Sequence, residues 1–240
     1  MRSPRDAEPP SPHGMAIEVA EPCQLGEVAA EHLARLVHEA VSDRGGCALA
    51  LSGGSTPQVM FTALSTSPLP WRKLHVFQTD ERICPPGHPD RNLTSLRRQL
   101  LDRVPIPAAN VHPMPVMLPD PSLAALRYEQ ELRNVCGDPC VLDVVHLGLG
   151  EDGHTASLVP GDPVLEVDDR DVAVTLPYKD RRRLTLTYPA LSRARRVLWL
   201  VAGESKASAL RRLVAGDPSI PAGLIPRERA LVVADSSAAA

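Results

Sequence analysis

Aromatic side chains make up only 3% of the 240 residues, whereas Ala, Leu and Val are plentiful. An aliphatic core of packed helices and strands is expected, and the chain is long enough to bury one without staples. No apolar run approaches the ~20 residues of a membrane-spanning helix, so no membrane partner is expected. A basic surplus is missing too, since the formal net charge is -3. That argues against nucleic acid as the main partner, while leaving room for a local cationic pocket that takes an anionic metabolite. The cysteines, at positions 23, 47, 84, 136 and 140, are odd in number and scattered. They suit free thiols in a reducing cytoplasm better than a disulfide frame or a zinc site. G-x-S-x-G, H-E-x-x-H and G-x-x-x-x-G-K-[ST] are absent as well. With them go the signatures of a serine hydrolase, a zinc hydrolase and a P-loop enzyme.

What is present is regular. The opening stretch MRSPRDAEPPSPHG is rich in Pro and charge and has no apolar signal core. A disordered tail is expected over residues 1–15, followed by a single α/β domain over 16–240. Apolar residues at 25, 28, 29, 33, 36, 37, 40 and 41 predict a helix that stops at Gly45 and Gly46. Further helices are predicted over 57–64, 93–104, 121–137 and 204–216. Strands are predicted over 47–52, 73–80, 141–150, 195–203 and 230–235, and RLTLTYPALSRA (183–194) reads as a strand and a short helix. Most of these strands are continuous apolar runs that alternate with helices. That pattern belongs to a mostly parallel sheet with helices on both faces, a Rossmann-like arrangement. Ligands of such sheets bind beyond the carboxyl ends of the strands. SGGST (52–56), TDER (79–82), GLGEDGH (148–154) and GESK (203–206) each follow a strand, so four loops are expected to converge on one site. No exposed seam is evident, and a monomer or weak homo-oligomer is expected.

The spacing G-x-G-x-x-G in GLGEDG resembles a dinucleotide loop, but such a loop must open onto a helix that holds the pyrophosphate. Pro160, Gly161 and Pro163 break any helix here. The segment reads instead as a loop that carries chemistry. His154 is the natural general base near neutral pH, and Asp152 and Glu151 stand beside it to orient it or hold its proton. In SGGST, Gly53, Gly54 and Ser55 let successive backbone N–H groups point at one anion, with a helix N-terminus behind them. The anion calls for cations. Lys206 in GESK and one arginine of the run Arg181, Arg182 and Arg183 are candidates. In TDER, Arg82 is a candidate to orient a substrate, with Asp80 or Glu81 to hold hydroxyls. His32 and His38 are expected on a solvated helix face and His146 in the core. A water activated by histidine fits hydrolysis of a reactive ester.

Taken together, LSGGSTPQVMFTAL, TDER, GLGEDGHTASLVPG, RLTLTYPAL and GESKASAL occur in the order found in the 6-phosphogluconolactonases, relatives of the glucosamine-6-phosphate deaminases. The chain resembles that family from roughly Ile17 to Asp235. DGHTASL is similar to the lactonase branch; the deaminase branch carries an Ile-Ala-Phe-Asn-Glu type of sequence after DGH. The resemblance implies a fold of the glucosamine-6-phosphate deaminase/ribose-5-phosphate isomerase type. It implies hydrolysis of 6-phospho-D-glucono-1,5-lactone to 6-phospho-D-gluconate, with no cofactor and no metal. It also implies His154 as the base, a phosphate held by Gly53, Gly54, Ser55, Arg183 and Lys206, and Arg82 facing the substrate. Two positions depart from the family pattern: Val159 stands where Phe is usual, and Asp90-Arg91-Asn92 stands where Ser-Asn is usual, with Asn92 retained. The competing readings are a glucosamine-6-phosphate deaminase/isomerase and a non-catalytic sugar-phosphate sensor, the latter without room for an added DNA-binding helix-turn-helix.

Overall fold

The computed structural model describes residues 15–240. The tail expected over residues 1–15 lies outside them except for Met15, whose side chain is buried. Seven strands form a parallel sheet: β1 (Ala16–Ala20), β2 (Cys47–Leu51), β3 (Leu74–Gln78), β5 (Val111–His112), β6 (Val144–Gly148), β9 (Arg196–Val201) and β10 (Ala230–Asp235). Their spatial order is β1-β10-β9-β6-β2-β3-β5. Three more strands, β4 (Asp80–Arg82), β7 (Val172–Val174) and β8 (Arg183–Leu186), make a small antiparallel sheet in the order β4-β8-β7.

The pleat explains the apolar runs. In β2, Cys47, Leu49 and Leu51 face one core while Ala48 and Ala50 face the other. In β9, Leu198 and Leu200 face the first, and Val197, Trp199 and Val201 the second. Both faces are therefore covered, and each fully buried side chain of this size contributes about 1.5–3 kcal/mol. The first core is closed by α1 (Leu25–Arg44), α2 (Pro57–Leu64) and α3 (Asn92–Gln99). The second is closed by α4 (Pro121–Cys136), α5 (Tyr188–Ser192), α6 (Ala207–Ala215) and the small sheet. The mostly parallel sheet with helices on both faces is thus borne out.

Several boundaries differ from the expected ones. The strand expected over 73–80 ends at Gln78. Thr79 is a pivot, its N–H donating to Leu51 O (3.1 Å) in one sheet and its carbonyl accepting from Leu186 N (2.8 Å) in the other. Asp80–Arg82, expected as strand end and loop, pairs antiparallel with Arg183–Thr185 instead. The helix expected over 93–104 runs only to Gln99; Leu100 leaves helical geometry (φ -133, ψ -66) and a 3-10 turn, Leu101–Arg103, follows. The helix expected from 204 opens with a 3-10 turn, Glu204–Lys206. The short strands β1, β5 and β7 were not expected.

The chain moves from β2 outward to β3 and later returns on the other side of β2 to lay down β6. This reversal opens a crevice at the carboxyl ends of β2 and β6, where ligands of open α/β sheets bind.

Candidate active site

Beyond β2, the turn 52–56 leads into α2, whose first residue is Pro57. Contact dictates glycine at 53, because a Cβ there would stand 2.0 Å from Asn92 Oδ1. Asn92 Nδ2 donates to the backbone oxygen and to Oδ1 of Asp80, both at 3.0 Å. The other Asp80 oxygen accepts from Ser157 Oγ at 2.6 Å. Buried Asp80 therefore ties the β2 side of the crevice to the loop that follows β6.

That loop folds back on itself. Gly153 N donates to Gly150 O (3.0 Å) and Gly150 N to His154 O (2.8 Å). Asp152 Oδ1 accepts from the His154 backbone N–H (3.1 Å) and lies 2.5 Å from the ring Nδ1. A Cβ on Gly150 would lie 2.0 Å from the same Nδ1, so the ring packs here only over glycine. With Nδ1 donating to a carboxylate, Nε2 is the basic nitrogen; it has no hydrogen-bond partner among the described residues. Burial works against charge on Asp152, but the His154 ring and backbone N–H and the Tyr178 hydroxyl (3.2 Å) hold its carboxyl below the usual range.

A cavity of about 190 Å³ lies between these loops, lined by Gly53, Gly54, Ser55, Asp80, Arg82, His154, Arg183 and Lys206 among others. The four post-strand loops do converge. Arg183 comes from β8 and is 5% exposed; burial first, then the Arg82 charge, pushes its pKa down. Arg82 donates through Nη1 to Asp90 O (2.8 Å), and its Nε lies 3.9 Å from Asp80 Oδ2. The Nε atoms of both arginines are buried without a hydrogen-bond partner. Two guanidiniums that raise each other's energy, with spare donors and a lysine across the cavity, make a place that an anion would stabilise.

Some expected residues stand elsewhere. Glu151 is not brought to His154. It is exposed, accepts from Ser205 Oγ (2.8 Å) and lies 3.7 Å from Lys206 Nζ. Glu81 does not face the cavity; fully buried, it accepts from the backbone N–H of Arg82, Asn92 and Leu93. Of the three consecutive arginines only Arg183 lines the cavity, while Arg181 pairs with Asp90 at 3.3 Å. Sequence reasoning passed over Ser157, Tyr178 and Asp235. Asp235 accepts from Gly203 N at 3.0 and 3.1 Å and so fixes the loop that presents Lys206. Ser157 lay inside the quoted HTASL segment; Tyr178 and Asp235 gave no signal in a single sequence beyond their polarity. Among the described residues, no group of His, Cys, Asp or Glu is placed to hold a metal ion, and no helix is long and apolar enough to cross a membrane.

A family model described as glucosamine-6-phosphate isomerases/6-phosphogluconolactonase matches residues 20–233. The 6-phosphogluconolactonase of Synechocystis sp. is 45% identical over 204 residues, which are 82% of this chain and 84% of that protein. The crystal structure of 6-phosphogluconolactonase from Thermotoga maritima has a TM-score of 0.83 at 28% identity, covering 92% of this chain and 98% of that one. A monomeric glucosamine-6-phosphate deaminase has a TM-score of 0.81 over 94% of this chain and 99% of its own, at 20% identity, a likeness that shows the fold alone.

Proposed function

The chain belongs to the glucosamine-6-phosphate isomerase/6-phosphogluconolactonase family, and from that premise we propose that it hydrolyses 6-phospho-D-glucono-1,5-lactone to 6-phospho-D-gluconate, the second step of the oxidative pentose phosphate pathway. One observation carries the assignment of roles. The imidazole of His154, held by Asp152, borders the same cavity as Arg82, Arg183 and Lys206. A base and an anion cradle at one crevice are what hydrolysis of a phosphorylated lactone needs.

The phosphate sits against the N–H groups of the Gly53–Ser55 turn and the α2 N-terminus, with Arg183 and Lys206 supplying positive charge. Arg82 faces the sugar. Asp80, already engaged by Ser157 and Asn92, holds the two sides of the crevice together. Anchoring sets the lactone carbonyl beside His154. Nε2 removes a proton from water as the water oxygen bonds to C1, and Asp152 stabilises the imidazolium that forms. The tetrahedral intermediate then collapses, the bond from C1 to the ring oxygen breaks, and the imidazolium returns its proton to that oxygen. General base catalysis of this kind supplies about 10²–10⁴-fold, which suits an ester that opens slowly unaided. A reducing compartment such as the cytoplasm suits the five unpaired cysteines.

The test is lactone hydrolysis by the wild type and His154→Ala, each with and without chelator. Loss of about 10²-fold or more in kcat with KM largely kept, and no effect of chelator, is the expected result. Full turnover by His154→Ala would remove the base, and release of ammonia from glucosamine 6-phosphate would replace the lactonase reading with the deaminase one.

A further inference from the structure

The hairpin between β7 and β8 reaches the site and turns through two residues. Tyr178 N donates to Arg181 O (2.9 Å) and Arg181 N returns to Tyr178 O (3.3 Å), with Lys179 and Asp180 in the left-handed region at φ 49 and 60. A two-residue turn with both central residues left-handed is the tight form that matches strand twist. The Tyr178 side chain packs on the loop that carries the base. Three contacts result. The hydroxyl donates to Asp152 Oδ2 at 3.2 Å, the oxygen that the imidazole does not use. The ring meets the His154 ring edge-on, with centroids 5.5 Å apart at 61°. The Arg183 guanidinium carbon lies 5.0 Å from the Tyr178 ring centroid, and its Nη2 donates to the Tyr178 carbonyl at 3.4 Å.

We propose that Tyr178 is a positioning residue for this reaction, one that fixes the Asp152 carboxylate beneath His154 and seats the Arg183 guanidinium. The proposal rests on the lactonase reading of the site. Its physical content is a division of labour on one carboxylate. With Oδ1 committed to His154 and Oδ2 to Tyr178, Asp152 cannot rotate, and the imidazole keeps Nε2 toward the cavity. The hydroxyl also draws charge from the carboxylate, so it tempers the stabilisation that Asp152 gives to imidazolium. The other charged groups around the ring are Glu151 from its own loop and Lys179 from the hairpin. Facing them are Asp80 and Arg82 from β4, Arg183 from β8, and Lys206 after β9. Besides the His154 ring and backbone N–H, only the Tyr178 hydroxyl hydrogen-bonds to the Asp152 carboxylate among the described residues.

Removal of the hydroxyl thus has a sign that simple loosening lacks. In Tyr178→Phe, the freed carboxylate interacts more strongly with imidazolium, and the pH dependence of kcat departs from that of the wild type. At the same time kcat falls about 5- to 10-fold, because the ring is held less well, while KM stays within about twofold. In Tyr178→Leu the aromatic face under Arg183 is lost as well, and KM rises about 5-fold or more. The experiment combines kcat and KM across pH for wild type, Tyr178→Phe and Tyr178→Leu with an NMR titration of the His154 ring, assigned by its disappearance in His154→Ala. A Tyr178→Phe protein whose His154 titration and kcat superimpose on those of the wild type would overturn the proposal. So would a Tyr178→Leu protein with unchanged KM. If the wild type opened no lactone, the functional reading would fall, and the NMR titration, recorded without substrate, would still decide whether Tyr178 sets the Asp152–His154 pair.

Discussion

Asp152 and Glu151 are neighbours in the chain and point to different partners. Asp152 grips His154 and Tyr178, whereas Glu151 lies out with Ser205 and Lys206. The Ser205 hydroxyl, then the Lys206 charge, draws the Glu151 pKa down, so this carboxylate balances the lysine. The two therefore separate on mutation. Asp152→Asn removes the charge that supports imidazolium and can present an N–H to Nδ1, so kcat is expected to fall about 10²-fold or more with little change in KM. Glu151→Gln is expected to leave kcat near wild type and to lower KM by up to about twofold, because on the proposed reading Lys206 then meets the phosphate without a competitor. A kcat loss in Glu151→Gln matching that of Asp152→Asn would return Glu151 to the chemistry. The sequence could place both carboxylates beside the base, because spacing along a loop is visible there. It could not tell which one turns inward, because that depends on the tight turn from Gly150 to His154 and on a tyrosine 26 residues further on.

At the scale of elements, what was legible was whatever repeats locally. The 3.6-residue stripe of α1 and the continuous apolar runs of β2, β6 and β9 carry their own signal. The pieces that were misread depend on distant partners. Strand β4 exists only because Asp80–Arg82 finds β8 about a hundred residues later, with register Asp80↔Thr185 and Arg82↔Arg183. Strands β5 and β7 are two and three residues long, too short for any period to show. The start of α3 is likewise set from outside the helix. Arg91 supplies no side-chain cap; Glu81 instead accepts from Asn92 N at 2.8 Å and Leu93 N at 2.9 Å, and from Gln78 Nε2 at 2.9 Å. A buried carboxylate at a helix N-terminus pairs orphan N–H groups with the favourable end of the dipole. In Glu81→Gln an amide nitrogen must face those donors. Hydrogen bonds to charged groups are worth about 1.5–3 kcal/mol each. The expected loss is about 3 kcal/mol, read as a fall in Tm of about 6–12 °C for a chain of this size. Since Arg82, which lines the cavity, donates its backbone N–H to the same carboxylate, KM should rise with it. A Tm within about 1 °C of wild type would show that α3 is held some other way.

The whole molecule should be stable over a window closed on both sides by buried ionisable groups. On the acid side stands His146, in the middle of the sheet, edge-on to Phe61 and with neither ring nitrogen hydrogen-bonded. Burial lowers its pKa to about 3. A depressed folded-state value means that nothing is lost above the unfolded value of about 6.5. As pH falls below that, the unfolded chain takes up a proton that the folded one refuses. Stability then declines until about pH 3, by about 2 kcal/mol at pH 5 from this residue alone. Lower still, Asp152 and Asp235, whose carboxyls also titrate low when folded, add to the loss in the same direction. On the alkaline side burial raises Cys47 and Tyr188 to about 12. Their contribution is intact below the ordinary thiol and phenol values and is lost as pH climbs from there toward 12. His146 makes the argument separable. Leucine has nearly its volume and no nitrogens to leave unpaired, so His146→Leu should be more stable at pH 7 by about 1–2 kcal/mol. It should also lose the slope between pH 6.5 and 4 in a urea-midpoint profile. His75, whose pKa burial also lowers, is only partly buried and would leave a shallower residue of that slope. An acid limb unchanged in His146→Leu would mean that the imidazole finds a partner in solution, and that the centre of the sheet is wetter than its packing implies.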